Sequence, residues 1–198
     1  MMLLIPEFEL GVYNAWILIL SFFVFCTGLP PLISRVFITN KNPKDSDEQT
    51  SFDEQEKKLH NIFIVALAAS VIYSIFLPLK LGTAWFYVGV SIYLLGMIFN
   101  IMAEMNFRTT SIDKSVTKGV YRISRNPQLF GAFLAFIGIS VTCASWLFLL
   151  FTLAMIAAYN TLVMSEERWC LEKYGTAYRE YMNRTPKWIG IPKSKKRD

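Results

Sequence analysis

Apolar residues lie in long blocks that contain few charges, and the polar positions are gathered between the blocks. The first block runs from Val12 to Ile33, with Pro30 and Pro31 near its end, where the missing N–H and the ring break a helix. The second runs from Leu59 to Leu79, with Pro78 near its end, and the third from Ala84 to Ala103. Only Leu81, Gly82 and Thr83 separate the third block from Lys80, which predicts a tight hairpin of the second and third helices. The stretch from Gln128 to Met164 carries no formal charge. As one helix it would be ~55 Å long, against a hydrocarbon core of ~30 Å. It therefore divides near Ala144-Ser145-Trp146 into Leu129–Cys143 and Trp146–Val163. The shorter of these calls for tilt, bilayer thinning or burial against neighbours. Beyond Met164, Ser165 to Met182 reads as a continuing amphipathic helix broken at Gly175, with Trp169, Tyr174, Tyr178 and Tyr181 suited to a membrane interface. The pattern predicts an all-α integral membrane protein with five transmembrane helices and a cytoplasmic C-terminal amphipathic helix.

Charge gives an independent check on this topology. Of the 20 Lys and Arg residues, 19 fall on one side of a five-span chain and only Lys80 on the other. The positive-inside rule then places the loops and the tail in the cytoplasm and the amino terminus outside. The amino-terminal flank carries Glu7 and Glu9 and no basic residue, unlike a cleaved signal peptide. Thr39 to Lys58 is polar and of mixed charge, and reads as a linker with a short helix at most. Two parts are expected: 1–103, three membrane helices with the cytoplasmic loop 34–58, and 104–198, a loop, the helical hairpin 128–164 and the tail.

Composition narrows the function classes. The chain is 54% hydrophobic and 18% charged, against about 25% charged in a soluble domain, which argues against a water-soluble globule. Cys26, Cys143 and Cys170 are odd in number and far apart, and read as reduced packing residues. His60 is the one histidine, so no zinc cluster is expected. The net charge of +5 comes from basic residues beside apolar blocks, which points to a membrane surface and not to nucleic acid.

Three polar segments on the cytoplasmic side could carry chemistry. In Lys118–Pro127, Asn126 is a favoured N-cap and Pro127 a favoured first helical residue. Such a helix start is a normal piece of structure, and Arg122 and Arg125 could be interface anchors. It is also an anion site, because free N–H groups and the dipole attract a carboxylate or phosphate, and Arg125 would strengthen it. Glu166 and Glu167 are either a solvated helix end or a receiver for an ammonium or sulfonium group. Arg184, before Thr185-Pro186, is either a lipid-phosphate contact or an anion clamp for substrate. Asn100 and Asn160 could bond between helices, and Glu104 reads as interfacial.

Gly119-Val120-Tyr121, Arg125-Asn126-Pro127 with Gly131, Glu166-Glu167, and Tyr174-Gly175-x-x-Tyr178-x-x-Tyr181 followed by Arg184 form an ordered series. The series resembles the isoprenylcysteine carboxyl methyltransferase and phospholipid methyltransferase superfamily of integral membrane enzymes, over roughly residues 100–192. The resemblance implies S-adenosylmethionine as cofactor. Its contacts would fall on Lys114, Ser115 and Val116, on Tyr121, on Asn126, Pro127, Gln128 and Leu129, and on Glu167, with Asn106 a weaker match. Arg125 and Glu166 join them from the charge argument. Arg184 matches a family position implicated in substrate handling, so Arg184 and Glu167 are the expected catalytic residues. Where carboxyl methyltransferases usually read Arg-His-Pro-x-Tyr, this chain reads Arg125-Asn126-Pro127-Gln128-Leu129. An amide replaces the titratable imidazole, and Asn-Pro at this place also looks like the phospholipid N-methyltransferases.

The expected function is methyl transfer to a lipophilic or lipidated acceptor in the membrane, as in isoprenylcysteine carboxyl O-methylation. Phospholipid N-methylation and thiol S-methylation are alternatives within the superfamily. A nicotinamide-dependent membrane reductase and a non-catalytic scaffold are alternatives of other classes.

Overall fold

The structure is a computed structural model that describes residues 10–28, 53–110 and 115–192. Five α-helices account for most of these residues. α1 is Trp16–Phe23 and continues as a π-helical turn over Val24–Gly28. α2 is Glu54–Ser74, α3 Ala84–Arg108, α4 Pro127–Thr142 and α5 Trp146–Arg184. Each apolar block of the sequence contains one helix. The Pro30-Pro31 stop, most of the 34–58 loop and the basic tail from Lys193 lie outside the described residues.

Local chemistry sets the helix ends. Asp53 and Glu56 form a reciprocal capping box at the start of α2, inside the stretch expected to be linker. The Thr83 hydroxyl accepts from Phe86 N–H, and that of Ser145 from Phe148 N–H. Ala144, at φ 50°, makes the turn that divides the long uncharged stretch. Gly175 leaves helical geometry inside α5 at φ 57°, as the sequence predicts.

α3 and α5 are long and apolar enough to cross a membrane, while the stretch Trp16–Cys26 and α4 are shorter apolar helices. In each long helix only 33% of the most apolar window is buried. Leu94, Leu95, Ile98, Leu150 and Leu153 face outward. An outer surface of this kind suits hydrocarbon and not water.

Two expectations about the helices are corrected. Residues 12–15 do not begin the first helix. Asn14 pairs with Pro78 in an isolated bridge, Ala15 N–H donates to Leu77 O at 2.9 Å, and Asn14 Nδ2 donates to Ile75 O at 2.7 Å. These residues are tied to the segment that follows α2, and the helix starts at Trp16. The short link after α2 also does not make a packed hairpin of α2 and α3. Instead, α3 packs along α4 and α2 along α5.

The reason lies in the facing surfaces. A Cβ on Gly138 would stand 2.4 Å from Tyr93 N, and one on Gly96 2.4 Å from Ala135 N. Gly89 and Gly131 meet the partner backbone in the same way, so α3 and α4 touch backbone to backbone. α2 and α5 meet through rings. Tyr73 stacks on Phe148 at 6.4 Å, and Phe63 meets Tyr159 edge-on at 5.0 Å. At the far end of this pair, Glu56 accepts from the Ser165 hydroxyl and from Arg168 Nη2.

Candidate functional site

At the end of the molecule away from the Asn14–Pro78 contact, the helices enclose a cavity of about 680 Å³. That size lies within the range of small-molecule sites. α1 and its π turn contribute Phe22 and Cys26, and α3 contributes Asn100, Glu104, Phe107 and Arg108. The segment before α4 adds Ser115, Val116, Tyr121, Arg125 and Asn126, and α4 adds Gln128, Leu129 and Ala132. α5 lines the rest, from Tyr159 through Glu166 and Glu167 to Tyr181.

The loop before α4 is built by close approach. Gly119 has φ 60°, and a Cβ there would lie 2.2 Å from Asn106 Nδ2. Asn106 therefore packs under the Gly119 turn and is not among the cavity-lining residues. The 3₁₀ turn Gly119–Arg122 buries Val120 against Ala103 and brings Tyr121 to the cavity. The chain after α5 then clasps this loop. Arg125 N–H donates to Pro186 O at 3.0 Å, Gly190 N–H to Ile123 O at 3.0 Å, and Asn126 Nδ2 to Lys187 O at 3.2 Å. Asn126 thus occupies the N-cap position of α4, but its amide is drawn to Lys187, and no side chain caps the helix start.

The charged pair at the centre of the site is loose. Arg125 Nη2 stands 3.4 Å from Glu167 Oε1, with both side chains largely covered. A good charge-assisted contact is about 2.7–2.9 Å. Arg125 Nε and Glu167 Oε1 are buried without a hydrogen bond among the described residues. The neighbouring acid is engaged differently: Glu166 Oε1 accepts from the Tyr159 hydroxyl at 2.6 Å. Lys173 Nζ lies 4.3 Å from the Trp169 ring centre.

Tyr178 and Tyr181 are buried, and so are not the interfacial rings the sequence suggests. The Tyr181 hydroxyl donates to Tyr121 O at 2.7 Å and ties α5 to the loop. Burial pushes the phenols of Tyr121, Tyr178 and Tyr181 above the usual tyrosine range, because it disfavours the phenolate.

Glu104 is also corrected: it is buried in the cavity wall. Its Oε1 lies 2.6 Å from Arg108 Nε, and its Oε2 accepts from Gln128 Nε2. Asn100 Nδ2 donates to Gln128 O at 2.8 Å, a bond between α3 and α4. Asn160 instead receives Lys187 Nζ from the returning tail.

Of the residues singled out from sequence, Ser115, Val116, Tyr121, Arg125, Asn126, Gln128, Leu129, Glu166 and Glu167 line this one cavity. Pro127 is the buried first residue of α4. Arg184 is not among the lining residues. It pairs with Glu180 at 3.0 Å on a solvent-exposed stretch of α5, because the i,i+4 spacing offers it a carboxylate there. Lys114 lies outside the described residues. Asn100, Glu104, Arg108, Tyr159 and Lys173 also line the cavity. The i,i+4 pair Glu104–Arg108 and the helical spacing of Tyr159, Glu166, Cys170 and Lys173 were the available signals for them.

A family model for phospholipid methyltransferases matches residues 75–177, just over half of the chain. The chain belongs to the phospholipid methyltransferase family. The matched span contains α3, α4, the loop between them and α5 to just beyond Gly175. It therefore includes most of the cavity wall of this methyltransferase-family protein, with Phe22, Cys26, Tyr178 and Tyr181 added from outside it. No curated protein matches the chain at a significant level.

Proposed function

We propose that the protein transfers a methyl group from S-adenosylmethionine to a lipophilic acceptor that enters the cavity from a bilayer. The observation that carries this reading is the Arg125–Glu167 pair. Both groups are covered, they are 3.4 Å apart, and each retains a polar atom without a hydrogen bond. A buried acid and base in that condition suit a ligand that brings both signs of charge, since either can exchange its weak partner for a better one. The residues present therefore fit the amino-acid end of this cofactor, with Arg125 toward a carboxylate and Glu167 toward an ammonium group. The uncapped first turn of α4 offers N–H groups to an anion beside Arg125. Glu166, oriented by Tyr159, adds negative charge to the same wall.

When bound, S-adenosylmethionine supplies a methyl group already activated on a sulfonium. The chain's own work is then positioning and the exclusion of water. Leu129, Ala132 and Phe22 form an apolar wall suited to both. The charge distribution supports five crossings with the amino terminus outside and the cavity at the cytoplasmic face. Nineteen of 20 basic residues then lie on one side.

Calorimetry on the purified protein in detergent tests this reading. S-adenosylmethionine is expected to bind and a nicotinamide cofactor not to displace it; no binding refutes it. Glu167→Gln is expected to weaken binding about tenfold or more, which corresponds to about 1.4 kcal/mol. Unchanged affinity would remove Glu167 from the cofactor site. Methyl label offered with a total membrane extract is expected to enter a lipid-soluble product, whose chemistry then identifies an oxygen, nitrogen or sulfur acceptor.

A further inference from the structure

We propose that α2 sets the position of the two cavity acids, Glu166 and Glu167, with Glu56 as the positioning residue. The inference rests on the methyl-transfer reading above and adds a helix outside the family-matched residues: α2 ends at Ser74, and the match begins at residue 75. Among the described residues, α2 contributes none to the cavity wall. Its part in the site therefore passes through α5, the helix it packs along.

Four consecutive residues of α5 carry the connection. At about 3.6 residues per turn, Ser165 and Arg168 fall on one side of the helix and Glu166 and Glu167 on the other. The first side meets α2, where the Ser165 hydroxyl and Arg168 Nη2 both donate to Glu56 Oε1. The second side lines the cavity. Fixing Ser165 and Arg168 thus fixes the rotation at which the two acids enter the cavity.

A second contact from the same face of α2 reaches the same acids. Phe63 lies two turns after Glu56 and so above it on that face. Its ring meets that of Tyr159 at 5.0 Å, and the Tyr159 hydroxyl donates to Glu166 Oε1 at 2.6 Å.

Helix capping explains only half of what Glu56 does. Its Oε2 accepts from Asp53 N–H at 3.0 Å and completes the capping box of α2. A carboxylate left in water would serve that end equally well. Instead the Glu56 side chain is 5% exposed, and the contacts of Oε1 with α5 offset its burial. A pin for the helix pair alone could also sit at any level, whereas this one sits at the turn that carries both acids. Glu56 does not line the cavity; it acts through α5 and exchanges no proton.

The test is calorimetric affinity of the full chain in detergent for S-adenosylmethionine. Glu56→Gln is expected to weaken binding about threefold or more, and by a clearly smaller factor in the Glu167→Gln background, because the two residues act as a unit. Unchanged affinity overturns the proposal, and so does an equal factor in both backgrounds, which a merely structural role would give. Tyr73→Phe loses the contact with Ser145 at the other end of the same helix pair, and is expected to keep the affinity. A loss there as large as that of Glu56→Gln would mean general loosening and overturn the proposal. If Glu56→Gln does not fold, Phe63→Leu tests the same face through Tyr159. It is expected to weaken binding several-fold, and an unchanged affinity overturns the proposal. Failure of the wild type to bind is a different result: it refutes the methyl-transfer reading, and this inference falls with it.

Discussion

The two long helix pairs hold together in different ways. α3 and α4 meet through glycines, with backbone against backbone, and leave little freedom to slide. α2 and α5 meet through aromatic rings and are pinned at one end by Glu56 between Ser165 and Arg168. The cavity takes walls from both pairs, and the walls inherit the difference. On the α3–α4 side, Glu104 has both oxygens engaged. On the α5 side, Glu167 has only the loose contact with Arg125 among the described residues. The glycine seam supplies a fixed frame, and the exchangeable contact joins Glu167 of α5 to Arg125, just before α4.

The largest effect should come from the seam. Gly138→Leu puts side-chain atoms where a Cβ already stands 2.4 Å from Tyr93 N. Overpacking of this kind is expected to cost about 3 kcal/mol or more, seen as a lost thermal transition or failure to purify. A wild-type midpoint would show that α3 and α4 do not meet backbone to backbone at Gly138.

Glu56→Gln should be milder, about 1–2 kcal/mol, since it weakens charge-assisted hydrogen bonds without emptying the site. The hydrogen bond from Ser165, then that from the Asp53 backbone and the contact with Arg168, hold the Glu56 carboxyl below its ordinary value of 4.5. Its contribution is therefore complete above that pH and is lost as pH falls through the lowered folded-state value. The midpoint difference between wild type and Glu56→Gln should shrink on acidification below about 4.5 and not on alkalinisation. A difference that grows with acid would show that Glu56 is not held in this way.

Tyr181→Phe removes the donor to Tyr121 O, at about 1 kcal/mol. It should loosen the loop and so weaken S-adenosylmethionine binding along with stability; a loss of stability alone would separate the loop from the site. Arg184→Ala should do least. Its pair with Glu180 is solvent-exposed, and such pairs are worth about 0.5 kcal/mol or less. A large loss of acceptor turnover in this variant would return Arg184 to the site.

Much of this was legible along the chain, for local reasons. Apolar blocks mark helices, Ser145 and Thr83 start them, and Gly175 interrupts one, because these effects act within a few residues. Glu166, Glu167 and Arg125 could be singled out because their charge marks them, and Gln128 through the family resemblance; all four line one cavity. Glu104 was less legible, since its burial depends on Gln128 from a different helix. The Asn126 amide follows Lys187, which is 61 residues away. Tyr178 and Tyr181 look interfacial in one dimension, but both are buried: the Tyr181 hydroxyl donates to Tyr121 O in the loop, and the Tyr178 ring lies beside that of Tyr181.

By itself, the sequence determined which segments are helical, the apolar character of their surroundings and the clustering of charge between them. These follow from hydrogen bonding along the chain and from the cost of exposing apolar residues to water. Which helix lies against which was decided only in three dimensions, where glycines permitted one approach and aromatic rings another. The same packing decided that Glu104 and Arg108 face a cavity, and that Arg125 and Glu167 meet without a close bond.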